Sequence, residues 1–495
     1  MRMTNSHSIG RCSAAALSGA GRKTLAIQAL AGHQPITALS RSHGVSRPFV
    51  YEQKRKAENA LDEAFDQSGP DDERVLFYLP VTKTWLRQLV LGLILICHGS
   101  LRSAIELIRD LLDVELSVGG VHNIVAEAIA KACAIQTTES LGNVRVGAHD
   151  EIFQGHAPVL VGIDAHSTYC YLLAHEASRD ADTWGVRLLE LSDKGLRPER
   201  TVADGGFGLR AGQALAWPDT PCDGDVFHAE MEFGRMASYQ ENRAWGALTA
   251  EEETKRKMLR AKRHGTGNQY SRRMLLAADK ARIAVELADD LVLLSSWLRN
   301  DIFARGSMDY PTRRVLLDFV IEELRAREAI EPHRIRPLRV MLENQGDALL
   351  AFAMQTDEKL HSLALKLKLP VAPLRELLGV VSQNSDGFQD TSLLRHRMGA
   401  SFATAETAVR SILDEVVRAS SMVENFNSRL RNYFFLRKSI GPDYLILLRF
   451  FLNHRRFMRS ECPHRVGKSP AELLAGNSHP HWLEMLGYQR FRRAA

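Results

Sequence analysis

The chain has 495 residues, of which 45% are hydrophobic and 25% are charged, and its formal net charge is +5. This composition leaves room for several folding units and excludes a disordered or fibrous chain. Six cysteines without CxxC pairs exclude a zinc ribbon and a disulfide framework, which favours a reducing compartment. The apolar run from Leu89 to Cys97 is too short to span a membrane, and residues 1–20 lack the apolar segment of a secretion signal.

Residues 22–60 predict short helices around a tight turn. The second of them covers Ile36–Ser42, a glycine turn follows, and Ser46 caps the next helix. This is the spacing of a helix-turn-helix, in which Val45 and Val50 bury the joint. The side chains expected to contact base edges and phosphates are Arg47, Tyr51, Gln53, Lys54 and Arg55. A purely structural helical hairpin is the alternative.

A second helical region follows an acidic connector that contains proline and glycine, at residues 66–74. Residues 85–135 have helical periodicity, and Ser117 is placed to cap a helix that begins at Val118. Its first residues, up to Asn123, repeat the turn-then-helix arrangement with fewer basic side chains. A second DNA-reading helix and a packing or dimerisation role therefore both remain open.

Residues 143–152 change the pattern from helical to alternating, which predicts a strand with one apolar face. Asp150 lies on that apolar face, whereas Glu151 lies on the opposite face, where a charge costs little. Burying a carboxylate is costly unless it is paired or binds a metal, so Asp150 is a candidate functional residue. Residues 159–164 and 168–174 predict two further strands of an antiparallel meander.

A helix around residues 181–193 and a short strand that ends at Asp204 follow. Two glycines come directly after this aspartate and allow another backbone to approach closely. An acid at the carboxyl end of a strand lies where α/β sheets keep their sites. Asp204 is therefore a second candidate.

Residues 421–438 predict a helix with an apolar stripe and one acid among bases. The stripe consists of Met422, Phe426, Leu430, Tyr433 and Phe434. Beside it lies a polar face made of Glu424, Asn427, Ser428, Arg431 and Lys438. A carboxylate in that setting suits a divalent cation next to a polyanion. A surface helix with a chance Glu–Arg neighbour is the alternative.

The order of these elements is similar to that of an RNase H-like core. The motifs that make the resemblance specific are Asp150-Glu-Ile-Phe, Val202-Ala-Asp204-Gly-Gly, Glu424-Asn-x-Asn-Ser-x-Leu-Arg431, Phe451-Leu-Asn-His-Arg455 and Gly467-Lys-Ser-Pro-Ala-Glu-Leu-Leu474. With the N-terminal helices, nearly the whole chain resembles a bacterial insertion-sequence transposase of the DDE type. The resemblance implies that Asp150, Asp204 and Glu424 are the first, second and third catalytic acids.

The resemblance also implies an enzyme, a polynucleotidyl transferase and endonuclease that cleaves and joins DNA strands. Two Mg²⁺ ions, replaceable by Mn²⁺, would be held by the three acids, because hard cations take oxygen ligands. His228, Asn427 and Ser428 are candidates for the rim of this site. The implied partners are double-stranded DNA, as transposon ends and target, and further copies of the chain in a homodimer or higher assembly. The implied location is the bacterial cytoplasm at the nucleoid, with no membrane.

Asp204 and Glu424 are separated by far more chain than a strand–helix connection needs. Residues 240–417 have helical periodicity, which predicts an all-helical insertion. Dense cations in the insertion and in the C-terminal tail favour contact with a DNA backbone, and a solvated surface is the alternative. The candidate contacts are Lys255, Arg256, Arg260, Arg263, Arg431, Arg437 and Lys438.

The predicted fold is therefore α/β, with an RNase H-like mixed sheet, an all-helical insertion and N-terminal helix-turn-helix units. The predicted domains are a helix-turn-helix domain at 1–66, a second helical domain at 67–142, the first part of the catalytic core at 143–239, the insertion at 240–417, and the Glu-bearing helix with the basic tail at 418–495. The alternatives to a transposase are a non-catalytic DNA-binding regulator, which includes a domesticated transposase, and a structure-selective nuclease on the same core.

Overall fold

A computed structural model describes residues 14, 17–65, 77–382, 388–418, 420–436 and 441–491. The chain divides into two units, Met1–Val81 and Thr82–Ala495. Within its described residues, the first unit contains the helices α1 (Gly19–Ala31), α2 (Ile36–Ser42) and α3 (Arg47–Phe65).

The three helices of the first unit pack around a small core that contains Leu25 and Leu39. The tight turn before α3 is made at Gly44, whose φ of 63° lies in the left-handed region that glycine tolerates best. Val45 and Val50 are both buried, as predicted. Three residues after Val50 on the same helix face, Gln53 is also buried, with 7% of its surface exposed. The prediction that Gln53 points at base edges is therefore wrong.

The second unit is mixed α/β. Its elements before the long insertion are α4 (Lys83–Leu95), α5 (Leu101–Leu112), α6 (Val118–Thr137), β1 (Val146–Gln154), β2 (Ala157–Asp164), β3 (Cys170–His175), α7 (Ala181–Asp193), β4 (Arg200–Ala203), α8 (Phe207–Ala216) and β5 (Cys222–Gly224). The insertion contains α9 (Val226–Arg263), α10 (Ser271–Trp297), α11 (Tyr310–Arg327), α12 (Pro332–Leu349), α13 (Ala351–Leu367), α14 (Val371–Ser382), α15 (Phe388–Met398) and α16 (Phe402–Glu415). The chain ends with α17 (Ser421–Leu436), α18 (Pro442–His454), α19 (Pro470–Ala475) and α20 (Trp482–Met485).

The five strands form one sheet in the order β3-β2-β1-β4-β5. β2 is antiparallel to β1 and β3, whereas β4 is parallel to β1 and β5 is parallel to β4. The three predicted strands of the meander and the strand before Asp204 are present. The short strand β5 was not predicted.

Helices cover both faces of the sheet. One face shares a hydrophobic core with α4, α5, α6, α17 and α18. The other face packs against α7 and α8. Because α4–α6 belong to the same core as the sheet, the predicted domain boundary between residues 142 and 143 does not separate two cores. Glu151 lies on the face opposite Asp150, but its side chain is only 6% exposed and is bonded to Arg179 and Trp184, so the expectation that a charge costs little there is wrong.

Helix α6 packs onto the sheet through Val121, Val125, Ala128 and Ala132. The Gln136 side chain near its end donates a hydrogen bond to the carbonyl of Ile446 in α18, at 2.9 Å. By length and composition alone, α6 is the one helix in the described chain that could cross a membrane. In its apolar stretch 28% of the residues are buried, and the apolar ones among them belong to the core shared with the sheet. The choice between a DNA-reading helix and a packing or dimerisation role stays open.

The insertion has a core of its own, made by residues between Val226 and Val416. Every regular element described between these positions is helical. The predicted start at residue 240 is wrong, because α9 runs without interruption from Val226 to Arg263. The insertion therefore leaves the sheet directly after β5.

Candidate active site

The register of the parallel strands places two of the predicted acids side by side. His149 on β1 pairs with Ala203 on β4, and Asp150 and Asp204 are the next residues on the two strands. Neighbouring strands lie about 5 Å apart. The Asp204 carboxylate accepts a hydrogen bond from the N–H of Gly206, at 2.8 Å. The sheet therefore brings together two residues that are distant in sequence.

Helix α17 brings the third acid to the same face of the sheet. Its side chains Val423, Phe426 and Leu430 enter the core that includes Ala148 and Ile152 of β1, the neighbours of Asp150 on that face. The Asn427 amide donates a hydrogen bond to Asp150 Oδ2 at 2.6 Å. Because Glu424 lies one turn before Asn427, its carboxylate is held on the side of α17 that faces Asp150.

The three acids influence one another electrostatically. The pKa of Asp150 is raised to about 7, first because the carboxyl group is buried and then because the carboxylates of Glu424 and Asp204 repel its charge. The N–H of Glu151 donates a hydrogen bond to Asp150 Oδ1 at 2.8 Å and opposes this shift. A cation among these groups would remove the repulsion.

The chemistry of this donor set fits a hard divalent cation. Carboxylate and amide oxygens are the ligands that Mg²⁺ and Mn²⁺ take in proteins. Asn427 Oδ1 is buried and has no hydrogen-bond donor among the described residues. No group of three or more His, Cys, Asp or Glu side chains in the described ranges is already arranged as a metal site. Asp150, Asp204 and Glu424 are the residues that would hold the ions.

A fourth acid, Asp225, was missed by the sequence analysis. Gly224, the last residue of β5, pairs with Ala203, the last residue of β4. Asp225 and Asp204 follow these two residues and are therefore neighbours at the end of the sheet. The Asp225 N–H donates a hydrogen bond to the Ala203 carbonyl at 3.1 Å. The buried Asp225 carboxylate accepts the N–H of Ser420 at 3.0 Å and also the Ser420 hydroxyl. The Ser420 carbonyl in turn accepts the N–H of Glu424, at 3.1 Å.

These hydrogen bonds tie the end of β5 to the start of the helix that carries the third acid. Asp225 also caps α9, because its Oδ1 accepts the N–H of Phe227 at 3.0 Å. The available sequence signal was that of a helix cap, because Asp225 directly precedes the helix that begins at Val226. Its partner, however, is 195 residues further along the chain, which no local pattern reveals.

A cavity of about 720 Å³ lies beside Asp204, between the sheet and helices α9 and α12. His228 lines it, as do Asp225, Arg235 and Arg334. His228 therefore lies at the rim where it was predicted, although its role there stays a prediction. The loop after Asp204 is held closely, since a Cβ at Gly205 would overlap the Gln345 side chain and one at Gly208 would overlap the Arg179 carbonyl.

The remaining predicted side chains of α17 differ in exposure. Ser428 and Arg431 are exposed, whereas Asn427 is buried and contacts Asp150 instead of solvent. Arg431 lies 3.5 Å from the Glu424 carboxylate. Arg437 and Lys438 lie outside the described residues.

The predicted DNA contacts of the first unit are mostly on the surface. Arg47, Tyr51 and Arg55 are exposed on α3, and Lys54 is half-buried beside Glu58 at 3.2 Å. Apart from Gln53, these side chains are accessible to a partner.

The predicted contacts of the insertion lie on the distal part of α9. Lys255, Arg260 and Arg263 are exposed and have no acidic partner among the described residues. Arg256 is also exposed, but it pairs with Glu252 at 3.2 Å. The four predicted cations therefore differ in how freely they can bind a partner.

No protein-family model matches the chain, and no curated protein matches it significantly.

Proposed function

We propose that this protein is a DNA transposase of the DDE type with an RNase H-like catalytic core. The observation that carries the proposal is the convergence of Asp150, Asp204 and Glu424 on one face of the sheet, where burial and then the charges of Glu424 and Asp204 raise the pKa of Asp150. The strand order, with β2 alone antiparallel to its neighbours, is the order expected for such a core.

The side chains of the site have complementary tasks in this proposal. Asp150, Asp204 and Glu424 would hold two Mg²⁺ ions, which when bound would supply activation of a water or 3′-hydroxyl and neutralisation of the charge on the leaving oxygen. Asn427 orients Asp150 through its hydrogen bond of 2.6 Å. Arg431, exposed beside Glu424, would contact the substrate phosphate.

DNA binding is assigned in this proposal to surfaces outside the acidic site. The exposed Arg47, Tyr51 and Arg55 of α3 follow the glycine turn at the spacing of a recognition helix. They are the candidates for recognition of the transposon ends. A homodimer or higher assembly is expected, because two ends must be held together for joining.

The experiment uses purified protein, Mg²⁺ or Mn²⁺, and a labelled duplex that carries the terminal DNA flanking the gene. The transposase is expected to nick the end and to join it to a second duplex. Cutting without joining would instead identify a nuclease. A shifted band without any cut would identify a DNA-binding regulator, and either result would overturn the proposal.

A further inference from the structure

Helices α9 and α10 form a long antiparallel hairpin within the insertion. Helix α9 has 38 residues and α10 has 27. After Ala244 on α9 and before Ala281 on α10, neither helix has a buried residue. The distal half of the hairpin is therefore a two-helix arm that projects from the core of the insertion. A two-helix arm of this kind buries little surface and suits contact with a partner.

The charge of the arm is strongly one-sided. Its tip, defined as residues 254–278, contains eight Lys and Arg residues and no Asp or Glu. Two of these cations, Arg256 and Lys257, pair with acids that precede the tip, at 3.2 and 4.0 Å. The others have no acidic partner in the described part of the chain: Lys255, Arg260, Lys262, Arg263, Arg272 and Arg273.

Unpaired cations on a narrow, exposed arm match the charge of a polyanion. A nucleic acid backbone releases counterions for each phosphate that a Lys or Arg neutralises, so such a cluster gains affinity without reading a sequence. Exposed leucines are also present at the tip, at Leu259 and Leu275, and they would favour a second copy of the chain instead. Six unpaired cations of one sign would repel each other across such a contact, which favours DNA.

The length of α9 limits how far from the acids the tip can lie. Helix α9 begins directly after Asp225, which lines the same cavity as Asp204. At 1.5 Å per residue, its 38 residues extend about 57 Å from the acids. At 3.4 Å per base pair, this length corresponds to about 17 base pairs of duplex.

We propose that α9 acts as a ruler, which places the cationic tip on the phosphate backbone of the bound duplex about 17 base pairs from the phosphodiester at the acids. This inference rests on the proposed function and names the length of DNA that the enzyme needs. Contact at the tip is to phosphates, so it is independent of base sequence.

The first test measures the affinity of duplexes that carry the terminal DNA of the element, trimmed to about 12 or about 30 base pairs from the cleavage position. The tip variant replaces Lys255, Arg260, Arg263, Arg272 and Arg273 with Gln. The control variant replaces three exposed, paired cations outside the tip, Arg282, Arg397 and Arg410, with Gln. Fluorescence anisotropy at several salt concentrations gives Kd and its salt dependence.

The tip variant is expected to bind the longer duplex at least about tenfold more weakly, and its salt slope is expected to fall by about one for each phosphate that the tip no longer neutralises. It is expected to bind the shorter duplex as the parent does. The control variant is expected to stay within about twofold of the parent, because its cations are already neutralised. An unchanged Kd and salt slope of the tip variant on the longer duplex would overturn the inference.

A second measurement locates the tip on the DNA. Fe–EDTA attached at Asn268→Cys is expected to cut the duplex about 17 base pairs from the nick, above the background of the parent treated in the same way. Cuts at the nick itself would overturn the ruler. The inference would also be overturned if the tip variant bound DNA as the parent does and differed from it only in oligomeric state, measured by light scattering. Absence of nicking and joining in the parent, in contrast, tests the proposed function alone.

Discussion

The acidic site on the sheet and the cationic tip of the hairpin differ in how their charged side chains are buried and paired. On the sheet, Asp150 and Asp225 are buried or half-buried, and each accepts hydrogen bonds from named donors in the chain. At the tip, Arg260 and Arg263 are exposed and have no acidic partner within the described residues. The comparison teaches that the fold fixes the acids in place, whereas the tip leaves its cations free for a partner.

The largest effect is expected from variants that disrupt the acidic site and leave the rest of the protein unchanged. Asp150→Asn, Asp204→Asn and Glu424→Gln each remove one charge with little change in shape. Each is expected to lower strand cleavage and joining by at least about a thousandfold, because in the proposed function these carboxylates would hold the metal ions. A gel assay with the labelled end measures the products, and a binding assay on the same samples should show Kd within about threefold of the parent. Full joining activity in any one variant would remove that residue from the site.

The next effect concerns Asp225, whose hydrogen bonds to Ser420 predict a positioning role for Glu424. Asp225→Ala removes both acceptors of Ser420 and is expected to lower the cleavage rate about 10- to 100-fold, with DNA affinity unchanged. Asp225→Asn keeps an acceptor for the Ser420 N–H, and its amide can donate to the Ser420 hydroxyl. It should therefore restore most of the rate.

The pair of variants separates two roles for Asp225. If the Asp225 carboxylate bound a cation, its charge would be lost equally in Asp225→Asn and Asp225→Ala. Equal loss of rate in both variants would therefore contradict the positioning role. Single-turnover cleavage at saturating DNA is the measurement, since it reports the chemical step without DNA association.

A smaller effect compares glycines of the two regions. At Gly208, beside the acidic site, a Cβ would overlap the backbone carbonyl of Arg179, so Gly208→Ala is expected to lower the free energy of unfolding by about 1–3 kcal/mol.

At Gly246, on the exposed part of α9, a Cβ would meet nothing within 4 Å. Gly246→Ala is expected to raise local helix stability by about 0.5–1 kcal/mol. Urea unfolding checks the first, and hydrogen exchange of α9 checks the second; destabilisation at both positions would mean that the arm packs against something.

The pH dependence of stability gives the smallest effect. The pKa of Asp150 is about 7 in the folded protein, above the ordinary value of 3.8, so the folded state holds the proton more tightly than the unfolded chain. Its contribution to stability is complete below pH 3.8 and is lost as the pH rises to about 7. Asp150→Asn does not show this loss, because it has no carboxyl group at this position. The free energy of unfolding of the variant minus that of the parent is therefore expected to increase by about 1–3 kcal/mol from pH 5 to pH 8.

Added Mg²⁺ provides the control for this prediction. A cation favours the ionised carboxylate, so Mg²⁺ is expected to stabilise the parent more at pH 8 than at pH 5 and to leave Asp150→Asn unaffected. Denaturant midpoints at the two pH values, with and without Mg²⁺, measure both effects. A pH-independent difference between the two proteins would mean that the Asp150 carboxyl is well solvated.

Elements with strong periodicity were predicted well from the sequence. Helix α2 at Ile36–Ser42 and helix α7 at Ala181–Asp193 have the predicted bounds. The apolar stripe of α17 is buried at Phe426, Leu430 and Tyr433, because one face of an amphipathic helix must cover the sheet. These features depend on neighbours in sequence, and a local pattern is sufficient to predict them.

Features that depend on distant contacts were not predictable in this way. Strand β5 has three residues, too few for an alternating pattern, and it is recognisable only from its pairing with β4. Asn427 was placed on a polar face, yet it is buried because Asp150, far away in sequence, accepts its hydrogen bond. Gln53 was predicted to contact DNA because of its amide side chain. It is buried instead, because it lies three residues after the buried Val50 on the same helix face. The acids Asp150, Asp204 and Glu424 were chosen from patterns, but only the strand register and α17 bring them together.

The hydrogen bonds between Asp225 and Ser420 have a consequence for how the protein is synthesised. A ribosome that adds about 5–20 residues per second needs roughly 10–40 s to travel the 195 residues between them. During that interval β1 and β4 lack α17, and the core of the insertion stays incomplete because it includes residues up to Val416. Glu424 therefore joins the other two acids only after the whole insertion has been synthesised.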